Sequence, residues 1–203
     1  MSKIRSALEI ALERTESVES NPQRIEEETL TKEGQRLVSK YLYEHALTLE
    51  EIQEELSGKQ PTQRKYLISG IAHALTANIS IPQSGAPIDH LPAIKTAVET
   101  LAPDDEMSEQ FNRIEQFFQQ YQQQTAQIRS SLEQQYEPKL RQKQQQYAQQ
   151  YGRMVELTFE QDPEFLELLN KHIQQLDEQY RSVLDEVKDQ IKNHIIQHYS
   201  ASS

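Results

Sequence analysis

Two histidines near the end of the sequence, His194 and His198, have the spacing of a metal-binding pair. Residues four apart lie one turn apart on the same helix face, so both imidazoles could reach one ion. The segment HIIQH lacks the glutamate that acts as general base beside the first histidine of a zinc-protease helix. The helix dipole alone also favours a histidine near a helix C-terminus. We therefore expect no metal and no cofactor, and we retain this pair as the candidate ligands if a metal binds.

Other reaction centres are not readable from the residue pattern. Helical bundles hold two irons on Glu-x-x-His pairs, but none of the 6 histidines has a glutamate three residues before it. The sequence has neither a glycine-rich phosphate loop nor a G-x-S-x-G motif. No catalytic residue is therefore predicted. An acidic cluster is interpreted as a solvated helix face rather than a metal site; its members are Glu26, Glu27, Glu28 and Glu33.

A ligand-binding protein or an enzyme would have its pocket in the N-terminal part of this chain. His73 lies in the most apolar segment, residues 62–80, and Asp89 and His90 lie in the loop 81–92, which is rich in proline. A core histidine satisfied by hydrogen bonds is the simpler interpretation of His73. The pocket remains the alternative function.

Residues 129–153 form the one positively charged stretch of the sequence. They include five basic and two acidic residues, together with Tyr136, Tyr147 and Tyr151. Such a surface could contact nucleic acid or an acidic protein. The net charge of the chain is −11, however, and phosphates repel an acidic surface. We expect ordinary helix-surface charge here and no nucleic-acid partner.

The composition excludes several classes of protein. The 203 residues include 5 glycines and 8 prolines, too few for a turn-rich β-sandwich or barrel. The absence of cysteine rules out disulfides, iron–sulfur clusters and a thiol nucleophile. Mean hydropathy is −0.81, and no stretch has the ~18–20 apolar residues of a membrane helix. Glu9 and Glu13 interrupt any secretory signal. We expect a cytoplasmic protein without a membrane partner.

The elements that would position any site are all predicted to be helices. Residues 1–103 are expected to form a compact domain of short helices, in which Thr48 and Glu51 fit a capping box. Segment 62–80 is apolar on more than one side, which predicts a central helix with others packed around it. Residues 104–203 are expected to form a long antiparallel helical hairpin with coiled-coil-like packing.

The hairpin prediction rests on two apolar repeats. Apolar residues step by four and three from Met107 to Leu132, and by three and four from Leu166 to Val187. Asp162 and Pro163 start the second arm as N-cap and first helical residue. Sixteen of the 41 residues between positions 110 and 150 are glutamine, which indicates a neutral, solvated helix surface.

The predicted arms, 105–159 and 163–199, differ in length, about 80 Å against about 55 Å at ~1.5 Å per residue. Pro138 lies inside the first arm and predicts a kink or break. Folding one arm on the other leaves 105–121 without a partner helix. Soluble monomers avoid such an exposed apolar stripe, so either the helices of 1–103 or another subunit cover it. We favour the first, and name these candidate interaction residues: Phe111, Ile114, Phe117, Phe118 and Tyr121.

The segment SALEIALERT, Ser6–Thr15, resembles the start of an uncharacterised family of small helical bacterial proteins. The resemblance covers about fifteen residues. It implies no site and no activity.

Two apolar repeats, unequal arms and no catalytic constellation predict a non-enzymatic protein. We expect a protein-interaction, scaffold or stalk function, in which the hairpin binds a protein partner or a second copy of the chain. The alternative is a small-ligand-binding protein or enzyme with a pocket in the N-terminal helices.

Overall fold

The computed structural model describes residues 22–82, 90–152 and 156–201. Within these ranges every regular element is a helix, which confirms the all-α fold class with a long helical hairpin after shorter helices. A π-helical turn, Lys40–Glu44, extends the first helix, and a 3-10 turn, Phe159–Gln161, precedes the last. The α-helices of the described ranges are α1 (Pro22–Ser39), α2 (Leu49–Gly58), α3 (Pro61–Ala77), α4 (Leu91–Leu101), α5 (Asp105–Tyr151) and α6 (Pro163–Ala201).

Helix α3 is the central helix that the sequence predicts. Its contact with α1 is made through two glycines, Gly34 and Gly70. A Cβ atom at Gly34 would lie 2.3 Å from the carbonyl oxygen of Leu67, and one at Gly70 would lie 2.1 Å from the carbonyl oxygen of Thr31. Because any side chain would collide with backbone, glycine is required for the two helices to approach this closely.

The predicted capping box at the start of α2 is present. The Glu51 amide donates to Thr48 Oγ1 at 3.3 Å, and the Thr48 amide donates to Glu51 Oε2 at 2.7 Å. Two helix amides are thereby satisfied by side chains. Pro61 is the first residue of α3, where its fixed φ suits the helix start.

One hydrophobic core joins the short helices to the base of the hairpin. The core therefore crosses position 103, where the sequence predicts a domain boundary. Its buried side chains come from all six helices and include Val38, Leu56, Ile71, Val98, Phe111, Phe118, Leu184 and Ile191.

The two hairpin helices are antiparallel. Helix α6 begins beside the part of α5 near Tyr136 and not beside the C-terminal end of α5 at Tyr151. The Phe165 ring lies 5.4 Å from the Tyr136 ring, and the Tyr180 ring lies 5.1 Å from that of Tyr121. The last turns of α5 therefore extend past the start of α6. The unequal arms leave an overhang at the far end of the hairpin, and the expectation that 105–121 lacks a partner helix is wrong.

The first arm also ends earlier than predicted. Helix α5 stops at Tyr151 rather than at residue 159, because Gly152 adopts a left-handed conformation with φ 67°. Residues 156–162, which we call the connector, lie along the hairpin before α6 starts at Pro163.

Pro138 does not break α5, which continues through it. Pro138 and Gln134 both lie on the exposed face of the helix. The predicted break is therefore wrong, and the kink stays a prediction.

The apolar repeat of α6 is displaced by one residue at two places. Leu166 and Val183, predicted in the seam, are 36% and 47% exposed, whereas Phe165 and Leu184 are buried. Helix α6 packs on α3 as well as on α5. The residues of α6 that are buried therefore contact two helices. A heptad repeat assumes a single partner helix and does not predict which residues face the second one.

Candidate functional site: the end of the hairpin

The end of the hairpin is a small structure formed by α5, α6 and the connector between them. Beyond Tyr121, α5 continues for about 45 Å at ~1.5 Å per residue. This end has its own hydrophobic cluster, whose buried members are Leu132, Tyr136, Leu140 and Phe165. Phe159 of the connector packs against it, with its ring 4.9 Å from that of Phe165. The connector thus contributes a third layer to the hairpin end.

A buried carboxylate, Asp162, holds the connector in place. Only 1% of its surface is exposed. It caps α6 by accepting hydrogen bonds from the amides of Glu164 at 3.0 Å and Phe165 at 3.4 Å. Lys143 of α5 donates to both its oxygens, at 2.8 and 2.7 Å, and to the Tyr136 hydroxyl at 2.8 Å. We call Tyr136, Lys143, Asp162 and Glu164 the end clamp.

The end clamp keeps its charged groups charged. Burial opposes the ionisation of Asp162, but hydrogen bonds from Lys143 and from two backbone amides lower its pKa overall. Burial likewise acts against the Lys143 charge, yet its bonds to Asp162, Tyr136 and Glu164 raise its pKa. Lys139 and then Lys143 lower the pKa of Glu164 to about 2. The end clamp therefore has no group ready to exchange protons near neutral pH.

The positively charged stretch 129–153 is neutralised in the fold. Arg129 pairs with Glu160, and Lys139 pairs with Glu164. Arg141 pairs with Glu137, with 2.6 Å between Nη2 and Oε1. Arg153 lies outside the described residues. Because carboxylates of α5 itself, of the connector and of α6 lie against the basic side chains, the described part of the stretch does not form an open cationic surface.

The overhang of α5 exposes two tyrosines. Tyr147 is 40% and Tyr151 is 60% exposed, and their rings stack 6.1 Å apart with planes inclined by 21°. Gln144 anchors the start of this segment by donating to the Leu157 carbonyl at 2.8 Å. The segment Gln144–Tyr151 contains no charged residue.

The predicted interaction residues lie inside the protein's own core. Phe111, Ile114, Phe118 and Tyr121 are between 0% and 4% exposed, and Phe117 is half-buried. The Tyr121 hydroxyl donates to Asp177 of α6 at 2.6 Å. Burial, and then this bond, raise the pKa of Tyr121 to about 12. Phe111, Ile114, Phe118 and Tyr121 are therefore covered within the chain, whereas Phe117 remains partly exposed.

The two candidate metal ligands have other surroundings. His194 Nε2 lies 3.0 Å from the Ala102 carbonyl oxygen. A carbonyl only accepts, so this nitrogen carries the proton and is not available to a metal. The His198 ring packs edge-on against that of Tyr199, at 5.5 Å. Among the residues that the structure describes, no three His, Asp or Glu side chains are grouped so as to hold a metal.

The remaining candidates are dispersed. His73 is exposed, so its interpretation as a core histidine is wrong. His90 packs against Tyr43, with ring centroids 4.7 Å apart, while Asp89 lies outside the described residues. The acidic cluster near position 30 is divided among separate partners, because Glu26 accepts from Gln63 at 2.7 Å and Glu33 pairs with Lys59 at 3.0 Å.

Two grooves run along the hairpin. One, of about 480 Å³, is lined by glutamines of α5 and by His172 of α6. The other, of about 220 Å³, lies nearer the base, between Phe117 of α5 and Val183 of α6. Of the described helices, none combines the length and apolar character needed to cross a membrane.

A protein-family model described as "Family of unknown function (DUF6657)" matches residues 53–193. The match covers more than half of the chain, so the chain belongs to this family. The predicted resemblance to an uncharacterised family is confirmed, although the match lies downstream of Ser6–Thr15, which is outside the described residues. No curated protein and no solved structure matches the chain.

Sequence reasoning identified part of the end clamp and missed its centre. Asp162 is recognisable as an N-cap because Pro163 follows it. Its partner Lys143 is 19 residues away, and no helical period links the two. Gly152 after Tyr151 is a sequence signal for the end of a helix. A helix end at this position predicts a connector that is long enough to fold back.

Proposed function

We propose that this protein is a non-enzymatic interaction or scaffold protein of the cytoplasm, which presents the end of its helical hairpin to a protein partner. The short helices and the hairpin base would support the hairpin end, which would be the binding surface.

The observation that carries the proposal is the contrast between a fixed connector and an exposed overhang. The end clamp holds the connector through Asp162, which is 1% exposed, whereas Tyr151 nearby is 60% exposed. Exposed aromatic side chains on a rigid support are typical of binding surfaces, because little conformational entropy is lost when they bind.

The electrostatics of the hairpin end support a binding role over a catalytic one. A general acid or base works best with a pKa near the operating pH. In the end clamp the pKa of Asp162 is lowered and that of Lys143 is raised. Both shifts move the groups away from neutrality, as expected of a structural ion pair.

In-cell photo-crosslinking tests the proposal. A photoreactive phenylalanine analogue would replace Tyr147 in one variant of the full chain and Val183, at the hairpin base, in another. The two side chains are similarly exposed, at 40% and 47%. We expect a discrete protein adduct from position 147 and none from position 183, detected by a mass shift on denaturing gels and identified by mass spectrometry.

Equal adducts from both positions, or none from position 147 at native expression, would contradict the proposal. Replacing Gln119, which is exposed on α5 closer to the base, measures the background of the helix itself.

A further inference from the structure

We infer that the last two turns of α5, Gln144–Tyr151, form a contact between two copies of this chain. The inference rests on the proposed function, since it names the partner of the same hairpin end. We call this segment the neutral overhang.

Within the described part of the chain, α6 does not extend along the neutral overhang as it does along the preceding turns of α5. Helix α6 starts opposite Tyr136, where Phe165 packs at 5.4 Å, so the turns after Lys143 pass beyond it. The connector meets this segment at Gln144 through the Leu157 carbonyl. Further along, Tyr147 and Tyr151 are 40% and 60% exposed.

Charge favours a second copy at this place. The chain has a net charge of −11, so two copies repel each other over most of their surfaces. The neutral overhang, QQQYAQQY, contains no charged residue, and Arg153 and Glu156 beyond it are opposite in sign. The adjacent Lys143 is already paired with Asp162 at 2.7 Å. Repulsion between copies is therefore least where the overhangs meet.

The side chains of the neutral overhang are complementary to themselves. A glutamine amide both donates and accepts hydrogen bonds, as does a tyrosine hydroxyl. A two-fold contact places each surface against the same surface of the second copy. The glutamines and tyrosines of one copy then face groups that both donate and accept hydrogen bonds. The stacked rings of Tyr147 and Tyr151 supply aromatic faces for the centre of that contact.

The size of the surface makes the contact weak. A fully buried tyrosine removes roughly 150–250 Å² from water, and each copy offers two that are partly exposed. The total is small beside the ~1,200 Å² of a stable complex. The association should therefore depend on concentration and be reversible.

Sedimentation velocity of the full chain over a wide range of concentrations tests this inference. We expect the weight-average sedimentation coefficient to rise with concentration, and to rise further in high salt, because salt screens the repulsion between acidic copies. The double variant Tyr147→Glu/Tyr151→Glu should remain monomeric. Ile25→Glu is the matched control, because Ile25 is 56% exposed in α1, and it should associate like the wild type.

Cysteine crosslinking is a second measurement that does not depend on tyrosine substitution. The natural chain has no cysteine, so Gln150→Cys and Gln119→Cys each introduce a single thiol. With a short bismaleimide we expect covalent dimers from position 150 in several-fold excess over position 119.

A wild-type chain that stays monomeric at all concentrations, or association unchanged in the double variant, would overturn the inference. Association that weakens with salt would do the same, since it would indicate contacts between opposite charges. If position 147 crosslinks to a different protein while the chain stays monomeric, the inference fails and the proposed function stands.

Discussion

The base and the end of the hairpin are made from the same two helices and are held by different interactions. At the base, Phe111, Phe118 and Ile191 are buried in a large apolar core shared with α1–α4. At the end, a few apolar residues are supplemented by the ion pair between Asp162 and Lys143. Apolar burial therefore holds the base together, while a buried ion pair fixes the connector against α5 at the end.

The difference follows from the number of neighbours. Helix α6 contacts α3 and α5 at the base, which is enough to enclose large side chains. Among the described residues, the members of the hydrophobic cluster at the end come from α5, α6 and the connector. Small structures bury a smaller fraction of their surface, so directional polar bonds carry more of the specificity there.

The substitution Phe118→Asp tests the base most severely. Phe118 is 1% exposed. Truncating a buried phenylalanine costs about 3–5 kcal/mol, and a buried carboxylate without a partner adds to that cost. We expect the variant to lose its cooperative unfolding transition. Circular dichroism during a urea titration measures this transition. The substitution Gln119→Asp, on the exposed side of α5, is the control. A folded Phe118→Asp protein would show that the aromatic segment is not part of the core.

The contact of α1 with α3 can be tested with alanine in place of glycine. Gly70→Ala places a Cβ 2.1 Å from the Thr31 carbonyl oxygen. We expect it to lower the free energy of unfolding by about 1–3 kcal/mol or more, as overpacking does. Gly58→Ala, with no atom within 4 Å of the new Cβ, should instead stabilise by about 0.4–1 kcal/mol. Equal effects in a urea titration would contradict the close approach.

The substitution Asp162→Ala tests the end clamp without touching the base. It removes a helix cap, which costs about 0.5–2 kcal/mol, and it leaves Lys143 without its buried partner. We expect faster amide hydrogen exchange at Phe165 and unchanged exchange at Ile71 in α3. Lys143→Met combined with Asp162→Ala should recover part of the loss, and purely additive effects would show that the pair is not coupled.

Alkaline pH should act on the Tyr121 contact. The pKa of Tyr121 is raised from 10.0 to about 12, so its stabilising contribution is complete below about pH 10 and is lost as pH rises towards about 12. Burial or a nearby carboxylate raises the pKa of several other tyrosines as well. We therefore expect Tyr121 to be the last tyrosine to titrate by tyrosinate absorbance, together with a loss of stability. Tyr121→Phe should remove this last step near pH 12, and a step near pH 12 that persists in the variant would assign it to another tyrosine.

Acid should act first on the hairpin end. The pKa of Glu164 is lowered from 4.5 to about 2, and that of Asp162 is also lowered. Stabilisation from a depressed carboxyl is complete above its unfolded pKa and is lost as pH falls through the folded value. We expect the Phe165 amide signal to change between about pH 4.5 and pH 2 in NMR spectra, before signals of α3 change. If the Phe165 amide signal and the signals of α3 changed over the same pH range, the hairpin end would not be separately sensitive to acid.

Much of the fold was predictable because it depends on local patterns. The apolar repeat of α5 correctly places Phe111, Ile114 and Phe118 inside, although α5 packs on α4 as well as on α6. The capping box of Thr48 and Glu51 needs only four consecutive residues. The repeat of α6 fails at Val183, where Leu184 is buried instead, because sequence spacing does not report which face of α6 meets α3.

The candidate site was less predictable than the fold. The sequence shows a net positive charge in residues 129–153. Glu133 and Glu137 neutralise part of it within α5, but the other carboxylates come from the connector and from α6. The Lys143–Asp162 bond depends on the connector folding back after Gly152. That return is a tertiary event, and no period in the sequence encodes it.

Helix content, the absence of cysteine chemistry and the apolar face of α5 were determined by the residues in order, because backbone hydrogen bonding and periodic burial act over a few positions. Only the tertiary structure decided that the aromatic segment is covered at the base and that the overhang lies at the other end. The reason is register: how far two long helices slide past each other depends on the connector and on long-range packing, which residue spacing along either helix does not contain.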